Sequence, residues 1–167
     1  MIKNLPKDTV LADVKSPVGI LSIIVSDKGL HAVLMNAEKE YRAVLKKLKQ
    51  DNNHPTVIEV KKQLNEYFAG KRKIFDLPLV MDGTEFQKKA WKQLLKIPYS
   101  KTICYSEQAR RVGDVKKARA VGIANSKNPI SIIVPCHRVI GKNGSLTGFG
   151  GGIENKKILI DLECGNI

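Results

Sequence analysis

The sequence is poor in cysteine and histidine and has no long apolar run, and each shortage excludes a class of protein. Three cysteines in 167 residues are an odd and sparse set, which argues against a disulfide framework and favours a reducing compartment. There is no Cys-x-x-Cys pair, and the three histidines lie at no metal-ligand spacing, so we expect no metal site. No segment approaches the run of about 20 apolar residues that a membrane helix needs. The first eight residues also lack the apolar region of a secretory signal, so we expect the protein to stay where it is made.

Acidic residues are scarce as well, and the formal net charge is +13. Residues 1–83 carry 14 Lys and Arg against 10 Asp and Glu, whereas residues 84–167 carry 15 against 6. A basic half of this kind attracts the phosphate backbone of nucleic acid, although membrane surfaces and acidic proteins attract it too. A lysine-rich solvated surface without a partner explains the charge equally well. Charge alone therefore leaves the partner open.

The first half of the sequence has the pattern of a small sheet with helices. Runs rich in β-branched and apolar residues, separated by glycine-containing turns, predict an antiparallel meander of Thr9–Lys15, Ile20–Ser26 and Leu30–Met35. Apolar residues at helical spacing predict a helix over Glu38–Gln50. Pro55 opens a second helix that runs through Phe68 and ends at Gly70.

The second half is predicted to be mainly helical. Its expected elements, in chain order, are a long helix between the N-cap Thr84 and Pro98, a short helix Glu107–Val112 capped by Ser106, a helix Val115–Ser126, a buried strand Ile130–Val134 and a final helix Glu154–Leu162. The fold class expected is α+β. Residues 1–82 would form a small lobe with an antiparallel sheet and helices, and residues 83–167 a mainly helical lobe with a helix-turn-helix.

The two helices joined at Gly113-Asp114 have a composition suited to nucleic acid. A helix pair joined through a glycine is the helix-turn-helix pattern, although many such pairs bind nothing. The second helix combines small residues with cations, namely Ala118, Ala120, Gly122 and Ala124 with Lys116, Lys117 and Arg119. Small side chains allow close approach and basic ones bind phosphates. Because the narrow minor groove rarely admits a helix with bulky side chains, we expect this helix to read DNA shape there.

Cys136 follows the predicted strand and is adjacent to His137. A free cysteine has a pKa near 8.5, so only about 3% is thiolate at neutral pH, and a neighbouring histidine is the usual activator. In extended chain the two side chains would point to opposite faces, so either the backbone curls here or a water relays the proton. Glu163, Asp161 or Glu154 would then hold the imidazole in the required tautomer. A buried structural cysteine beside a surface histidine is the alternative for an isolated pair.

The pair is not isolated, because several motifs surround it in one register. They are Pro135-Cys-His-Arg138, Arg119-Ala-Val-Gly122, Ala124-Asn125, Asn128-Pro129 and Gly148-Phe-Gly-Gly151, with Thr84-Glu-Phe-Gln87, Trp91, Ile97-Pro-Tyr99 and Tyr105 upstream. Together they resemble the methylated-DNA–protein-cysteine methyltransferases, over Thr84–Glu163 in nearly continuous register and over residues 1–83 in outline. The resemblance implies repair of DNA by irreversible, once-per-molecule transfer of an alkyl group from O6-alkylguanine, and also from O4-alkylthymine, to Cys136.

The resemblance also implies a role for each residue near the reaction. Cys136 would be the alkyl acceptor, His137 its general base through a water, and Glu163 the residue that orients the histidine. Asn128 would brace the turn around the site. Tyr105 would donate a proton to the departing guanine, and a phenol is a reasonable acid for that step.

Further residues are implied on the DNA side of the site. Arg119 would enter the duplex as a finger that fills the gap left by the flipped nucleotide. The other DNA contacts implied are Lys116, Lys117, Ala118 and Gly122, and the base pocket would be lined by Ser131, Val139, Phe149 and Gly150. The expected partner is double-stranded DNA containing O6-alkylguanine, bound by a monomer without metal, cofactor or membrane. The expected location is cytoplasmic, at the nucleoid of a prokaryote, or nuclear in a eukaryote.

The sequence departs from the family pattern at the pocket wall. Phe149 stands where the family more usually has tyrosine, and Gly150 where some members have serine, so the preference between methyl and bulky adducts is open. The first lobe lacks the cysteines that some relatives use for zinc. Two other functions remain: a protein that binds alkylated bases without reacting, against which Cys136 argues, and a thiol hydrolase using Cys136, His137 and either Asn128 or Glu163. A hydrolase would turn over repeatedly and would leave Arg119 unexplained.

Overall fold

The computed structural model describes residues 5–35 and 41–166, and its N-terminal part is built on a four-stranded sheet. Strands β1 (Val10–Ser16), β2 (Gly19–Ser26) and β3 (Gly29–Met35) form the expected antiparallel meander. Gly19 and Gly29 adopt positive φ angles at the starts of β2 and β3, a conformation that side chains disfavour. The sheet order is β3-β2-β1-β4, so the meander is completed by a short edge strand.

The helix expected over Glu38–Gln50 is wrong over most of its described length. Its first three residues lie outside the described residues, α1 spans only Arg42–Leu45, and Lys49–Gln50 form β4, which pairs in parallel with β1. The apolar side chains of this segment pack on the sheet instead, where Tyr41 is buried in a cluster with residues of β1, β2 and β3. The open edge of β1 then offers backbone hydrogen-bond partners that a longer helix would leave unpaired. Helix α2 (Pro55–Phe68) has the expected bounds.

The C-terminal part contains four further helices. They are α3 (Glu85–Leu94), α4 (Tyr105–Val112), α5 (Ala118–Ser126) and α6 (Ile153–Cys164), and a two-stranded parallel sheet joins β5 (Ile103–Cys104) to β6 (Val139–Ile140). Thr84 caps α3 in a reciprocal capping box with Gln87, as the sequence predicts. The α+β fold class is confirmed.

Two helix starts differ from expectation. Cys104 rather than Ser106 is the N-cap of α4, so Ser106 lies inside the first turn. The second helix of the helix-turn-helix begins as a 3-10 turn over Val115–Lys117 and becomes α-helical only at Ala118. Asp114 explains the tighter start, because its carboxylate accepts a hydrogen bond from the Lys116 amide at 2.9 Å.

The strand expected at Ile130–Val134 is also wrong, because these residues form turns. Ile132 has φ +73°, in the left-handed region, which interrupts any extended run. Only Ile130 makes a single bridge, to Val33 of β3. The apolar side chains are buried all the same, so the sequence predicts their burial correctly and their conformation wrongly.

One hydrophobic core joins the two parts. It contains side chains from the sheet, from α2 and α3, and from the turns that precede and include Cys136. Within the described residues, no helix is long and apolar enough to cross a membrane, and no group of three or more His, Cys, Asp or Glu side chains could hold a metal ion. The core therefore fixes the sheet against the segment that carries the candidate chemistry.

Candidate active site and nucleic-acid interface

Cys136 begins a 3-10 turn that covers Cys136–Arg138, so the backbone curls where the cysteine meets the histidine. Cys136 is only 6% exposed. The side-chain amide of Asn128 donates to Sγ at 3.2 Å and to the carbonyl of Val134 at 2.8 Å, and its oxygen accepts from the amide of Ile130 at 3.0 Å. Asn128 therefore binds both ends of the segment Ile130–Val134 as well as the sulfur of Cys136.

Glu163 lies at the centre of a buried hydrogen-bonded group that we call the Glu163 cluster, formed with His137, Arg138, Tyr67 and Ser100. Its Oε1 accepts from Nε2 of His137 and from the hydroxyl of Tyr67, each at 2.8 Å. Arg138 donates through Nε to Oε2 at 2.9 Å and through Nη2 to Oε1 at 2.9 Å, a two-pronged contact. The backbone amide of Ser100 donates to Oε2 at 3.1 Å. The carboxylate is therefore held from four directions.

The charges in this cluster determine which ring nitrogen of His137 carries the proton and which can act as a base. Burial would raise the pKa of Glu163, but the hydrogen bonds from His137 and Arg138 outweigh it and bring the pKa to about 2. Burial lowers the pKa of His137 below its ordinary value, against the opposing effect of Glu163. Near neutral pH the carboxylate is thus ionised and balanced by Arg138, while the imidazole is neutral.

A neutral imidazole next to an ionised carboxylate has one possible arrangement of its proton. A carboxylate only accepts hydrogen bonds, so Nε2 of His137 carries the proton that it donates to Glu163. Nδ1 is then the basic nitrogen, and it is buried with no hydrogen-bond partner among the described residues. The arrangement supplies a base in the same turn as Cys136.

The two other carboxylates considered for the histidine lie elsewhere. Asp161 pairs with Lys157 one turn away on the exposed side of α6. Glu154 lies exposed in the first turn of the same helix. Glu163 reaches the histidine because α6 extends to Cys164, two residues beyond the expected end at Leu162.

Sequence reasoning missed Arg138, Tyr67 and Ser100. Arg138 stands in the quoted Pro135–Arg138 motif, yet an arginine in a basic protein gives no sign that it is 7% exposed and paired. Tyr67 had a detectable signal, since it lies at the apolar spacing of α2. Ser100 contributes through its backbone amide, which no side-chain pattern reveals.

Tyr105 lies at the start of α4, and its hydroxyl donates to the carbonyl of Thr147 at 2.8 Å. Burial raises its pKa above the ordinary value. The buried Lys156 donates to the carbonyls of Val139 at 2.6 Å and Thr147 at 2.8 Å, which fastens the glycine-rich loop to β6. Lys156 is a further residue that sequence reasoning missed.

The four predicted pocket residues differ in exposure. Val139 is fully buried in β6 and Ser131 is 5% exposed in the turn before Cys136. Phe149 is half-buried and packs against the core cluster that contains Cys136, while Gly150 is exposed. No side chain can be added at the following Gly151 without colliding with Met35 of β3, so the sheet supports this loop.

The accessible side of α5 forms what we call the α5 face, which consists of Ala118, Arg119, Gly122, Ile123 and Ser126. With Tyr105, Thr147 and Gly148 it lines an open cavity of about 450 Å³. Three of the predicted DNA contacts therefore share one surface. Lys116 and Lys117 are exposed just before it, in the 3-10 turn.

The opposite side of α5 is anchored in the helical part. Val121, Ala124 and Asn125 are buried, so Ala124 belongs to the core and not to the accessible small-residue surface expected from its composition. Asn125 exchanges hydrogen bonds with Gln108 of α4 at 2.8 and 3.0 Å. The indole of Trp91, a buried residue of the core, donates to the carbonyl of Ala124 at 2.8 Å.

A larger cavity of about 540 Å³ lies behind the Glu163 cluster. It is lined mainly by apolar side chains, together with Tyr99 and the cations Lys73, Lys96 and Arg138. The cations Lys73 and Arg138 each lie 5.8 Å from the centre of the Tyr99 ring. Size alone would select this cavity, but the smaller one is lined by Tyr105 and by the predicted DNA contacts Ala118, Arg119 and Gly122.

Both parts of the chain match known protein families. Residues 85–165 match the model of the 6-O-methylguanine DNA methyltransferase DNA-binding domain, and residues 9–81 match that of the ribonuclease-like domain of the same proteins. A methylated-DNA–protein-cysteine methyltransferase of Methanosarcina mazei is 45% identical over 157 residues, covering 92% of this chain and 96% of its own. The protein of that name from Mycobacterium tuberculosis is 57% identical over 101 residues, 60% of this chain and 61% of its own.

Solved structures agree with these matches. The crystal structure of Mycobacterium tuberculosis O6-methylguanine methyltransferase superimposes with a TM-score of 0.87 at 42% identity, covering 95% of this chain and 94% of that one. A crystal structure from the same organism in complex with DNA gives a TM-score of 0.83 at 42% identity, covering 92% and 91%. The chain therefore belongs to the methylated-DNA–protein-cysteine methyltransferase family.

Proposed function

We propose that this protein repairs DNA by moving the alkyl group of O6-alkylguanine, and also of O4-alkylthymine, irreversibly onto Sγ of Cys136. The observation that carries the proposal is the arrangement of Cys136 and His137 in one turn, with Glu163 holding the histidine proton on Nε2. The relatives above are named for the transfer of a methyl group from methylated DNA to a protein cysteine. The neighbouring helix-turn-helix supplies a surface for the duplex.

The reaction begins with removal of the thiol proton. Nδ1 of His137 accepts it through one water molecule, and Glu163 and the resulting imidazolium attract each other across their 2.8 Å hydrogen bond. Asn128, whose amide donates to Sγ, stabilises the thiolate as it forms. The base, the orienting carboxylate and the amide each act on one sulfur.

Transfer then exchanges one bond for another. The sulfur lone pair forms the bond to the alkyl carbon, the carbon–O6 bond breaks, and its electron pair remains on guanine. Tyr105 supplies a proton to the departing base and is reprotonated by the imidazolium, so the thiol proton is in effect transferred to guanine. The thioether has no good leaving group, and each molecule therefore reacts once.

The duplex must present its damaged base outside the helix. The α5 face approaches the minor groove with small side chains, and Arg119, which is exposed, fills the gap left by the extruded nucleotide. Lys116 and Lys117 bind phosphates on the approach to the helix. Ser131, Val139, Phe149 and Gly150 line the pocket for the base, where Phe149 offers an apolar wall without the hydroxyl of a tyrosine.

We further propose that the protein acts as a monomer in the cytoplasm, at the nucleoid in a prokaryote or in the nucleus of a eukaryote. Residues 83–167 would carry the DNA-binding and alkyl-acceptor lobe and residues 1–82 the supporting one. A catalytically silent binder of alkylated bases is the second candidate. The buried Cys136, with an amide aimed at its sulfur, favours transfer over silent binding.

The test is a stoichiometry measurement. The protein is incubated with excess duplex that contains one O6-methylguanine, digested, and its three cysteine peptides are weighed. We expect one methyl group per protein, all on Cys136, and none on Cys104 or Cys164.

Matched cysteine variants complete the test. Cys136→Ala should transfer nothing and still bind the duplex, while Cys104→Ala and Cys164→Ala should react like the unsubstituted protein. Continued turnover would indicate a hydrolase, and binding without methylation of any cysteine would indicate the silent binder.

A further inference from the structure

Ile123 is a large apolar side chain on a surface that is otherwise small or polar. Among the residues of α5, all of which the structure describes, it is the one large apolar residue that is exposed, at 58%. Its neighbours Val121 and Ala124 are buried on the opposite side of the helix. The exposure of Ile123 is therefore not explained by the packing of α5.

The position of Ile123 relative to Arg119 ties it to the duplex. The two residues are four apart on one helix, so they lie one above the other on the α5 face and line the same cavity. Four residues of α-helix span about 6 Å along the axis, and successive base pairs are about 3.4 Å apart. If Arg119 occupies the place of the extruded nucleotide and the axis of α5 runs along the groove, Ile123 meets the minor groove about one or two base pairs away.

We infer that Ile123 determines which base pairs beside the damaged guanine are tolerated, by disfavouring pairs with a guanine amino group in the minor groove. This inference rests on the proposed function and extends it to sequence context. In the minor groove A·T pairs present only acceptors, whereas G·C pairs add the N2 amino donor. An isoleucine side chain offers no acceptor to that donor and is stiff at its branched Cβ, so it cannot easily turn away.

Contact between Ile123 and the N2 amino group therefore costs free energy, and base pairs without that group do not have this cost. The group loses its water without gaining a hydrogen bond, and its bulk occupies the floor of the groove where the side chain must lie. Removing the amino group without changing the rest of the pair isolates the effect. Inosine·C is a G·C pair without the amino group, and 2,6-diaminopurine·T is an A·T pair that carries it.

The experiment measures the single-turnover rate of methyl transfer from O6-methylguanine in a set of duplexes. Each of the two base pairs on either side of the lesion is varied in turn among G·C, inosine·C, A·T and 2,6-diaminopurine·T. At one of these positions we expect the two pairs without the amino group to react about fivefold faster or more than their counterparts with it, the lower limit for one unsatisfied donor.

Three variants assign the effect to the side chain. Ile123→Ala should reduce the rate ratio to below about twofold, while Ile123→Val, which keeps the branched Cβ, should retain most of it. Ile58→Ala removes an isoleucine of similar exposure on α2 and should leave the ratio unchanged. Because inosine pairs are themselves weaker, the decisive quantity is the change in ratio between the unsubstituted protein and Ile123→Ala.

The outcomes separate the inference from the proposed function. Equal rates for G·C and inosine·C at all four positions, or a ratio that survives in Ile123→Ala, would overturn the role of Ile123 and leave alkyl transfer standing. Absence of transfer from every duplex would instead refute the proposed function.

Discussion

The Glu163 cluster and the α5 face differ in how their functional side chains are held. In the cluster, one carboxylate accepts hydrogen bonds from His137, Arg138, Tyr67 and the amide of Ser100, and its side chain is 2% exposed. On the α5 face the side chains project into open space, and the hydrogen bonds that fix the helix are made by its buried side. Proton transfer needs fixed distances, whereas a surface that must fit a deforming duplex needs room to move.

The largest effect is expected from breaking the Glu163 cluster. Glu163→Gln keeps the shape but leaves the buried guanidinium of Arg138 without its counter-charge, which costs about 3–5 kcal/mol of unfolding free energy. The rates of methyl transfer for Glu163→Gln, His137→Ala and the double variant should be non-additive, the double being little slower than the slower single variant.

A readout independent of stability accompanies this test. The pH at which Cys136 half-reacts with a small thiol reagent should move upward in each variant, because the thiolate is less favoured. An unchanged titration in Glu163→Gln would mean that Glu163 serves the fold alone. Asp161→Asn is the matched control, since it removes a carboxylate from the exposed side of the same helix.

Acid should weaken the same cluster in two stages. The folded pKa of His137 is below its usual 6.5, so the unfolded chain takes up a proton first and stability begins to fall as the pH drops through about 6.5. The pKa of Glu163 is about 2 in the fold against 4.5 ordinarily, so its contribution is complete above about 4.5 and is lost between that value and about 2.

Urea unfolding at a series of pH values measures this dependence. Glu163→Gln should flatten the loss between about 4.5 and 2, whereas His137→Ala should flatten the step near 6.5. Curves identical to that of the unsubstituted protein would contradict the assignment of these groups.

The α5 face should respond to substitution in function and not in stability. Arg119→Ala should slow repair of duplex DNA by about tenfold or more, because extrusion of the nucleotide costs a few kcal/mol that the finger offsets. Reaction with the free base O6-methylguanine should change little, since nothing has to be extruded. Equal losses on the two substrates, measured as single-turnover rates, would refute the role of Arg119 as a finger.

The smallest effect is expected from the cations before the helix. Neutralising Lys116 and Lys117 with glutamine should weaken binding to damaged and undamaged duplexes alike. The slope of log affinity against log salt should become shallower by about 0.9 for each phosphate that is no longer neutralised. Lys62→Gln, on the exposed side of α2, is the control that should leave the slope unchanged. Weaker binding confined to damaged DNA would place these lysines near the lesion instead.

Sequence patterns predicted most elements whose conformation depends on local residues. Each correct prediction depends on residues only a few positions apart. They are the capping box at Thr84, the proline that opens α2 and the pattern of the three main strands. The two errors in element type occurred where a distant partner contributes to the conformation. Lys49–Gln50 became a strand because β1 offered an open edge, and the Ile130–Val134 turn is joined to β3 by backbone hydrogen bonds between Val33 and both Pro129 and Ser131.

In the candidate site, too, the residue types were visible in the sequence, whereas their partners were set by the fold. The nucleophile and its neighbouring base were visible in the sequence as Cys136 and His137, because reactive residue types stand out by chemistry alone. The choice of Glu163 over Asp161 and Glu154 followed from the resemblance, and the geometry of α6 supports it independently. Of the partners of that carboxylate, Tyr67 was visible only as an apolar position of α2, and the Ser100 amide is part of the backbone, which no side-chain pattern reveals.

The amino-acid sequence by itself determined which chemistry this protein can carry, because side-chain type and local backbone preference are properties of each residue and its neighbours. It determined a thiol next to an imidazole and a basic helix with small side chains. Only the tertiary structure decided which nitrogen of His137 is basic and which face of α5 carries an exposed isoleucine. Those properties depend on burial and on hydrogen bonds between residues up to 96 positions apart, and no local pattern encodes them.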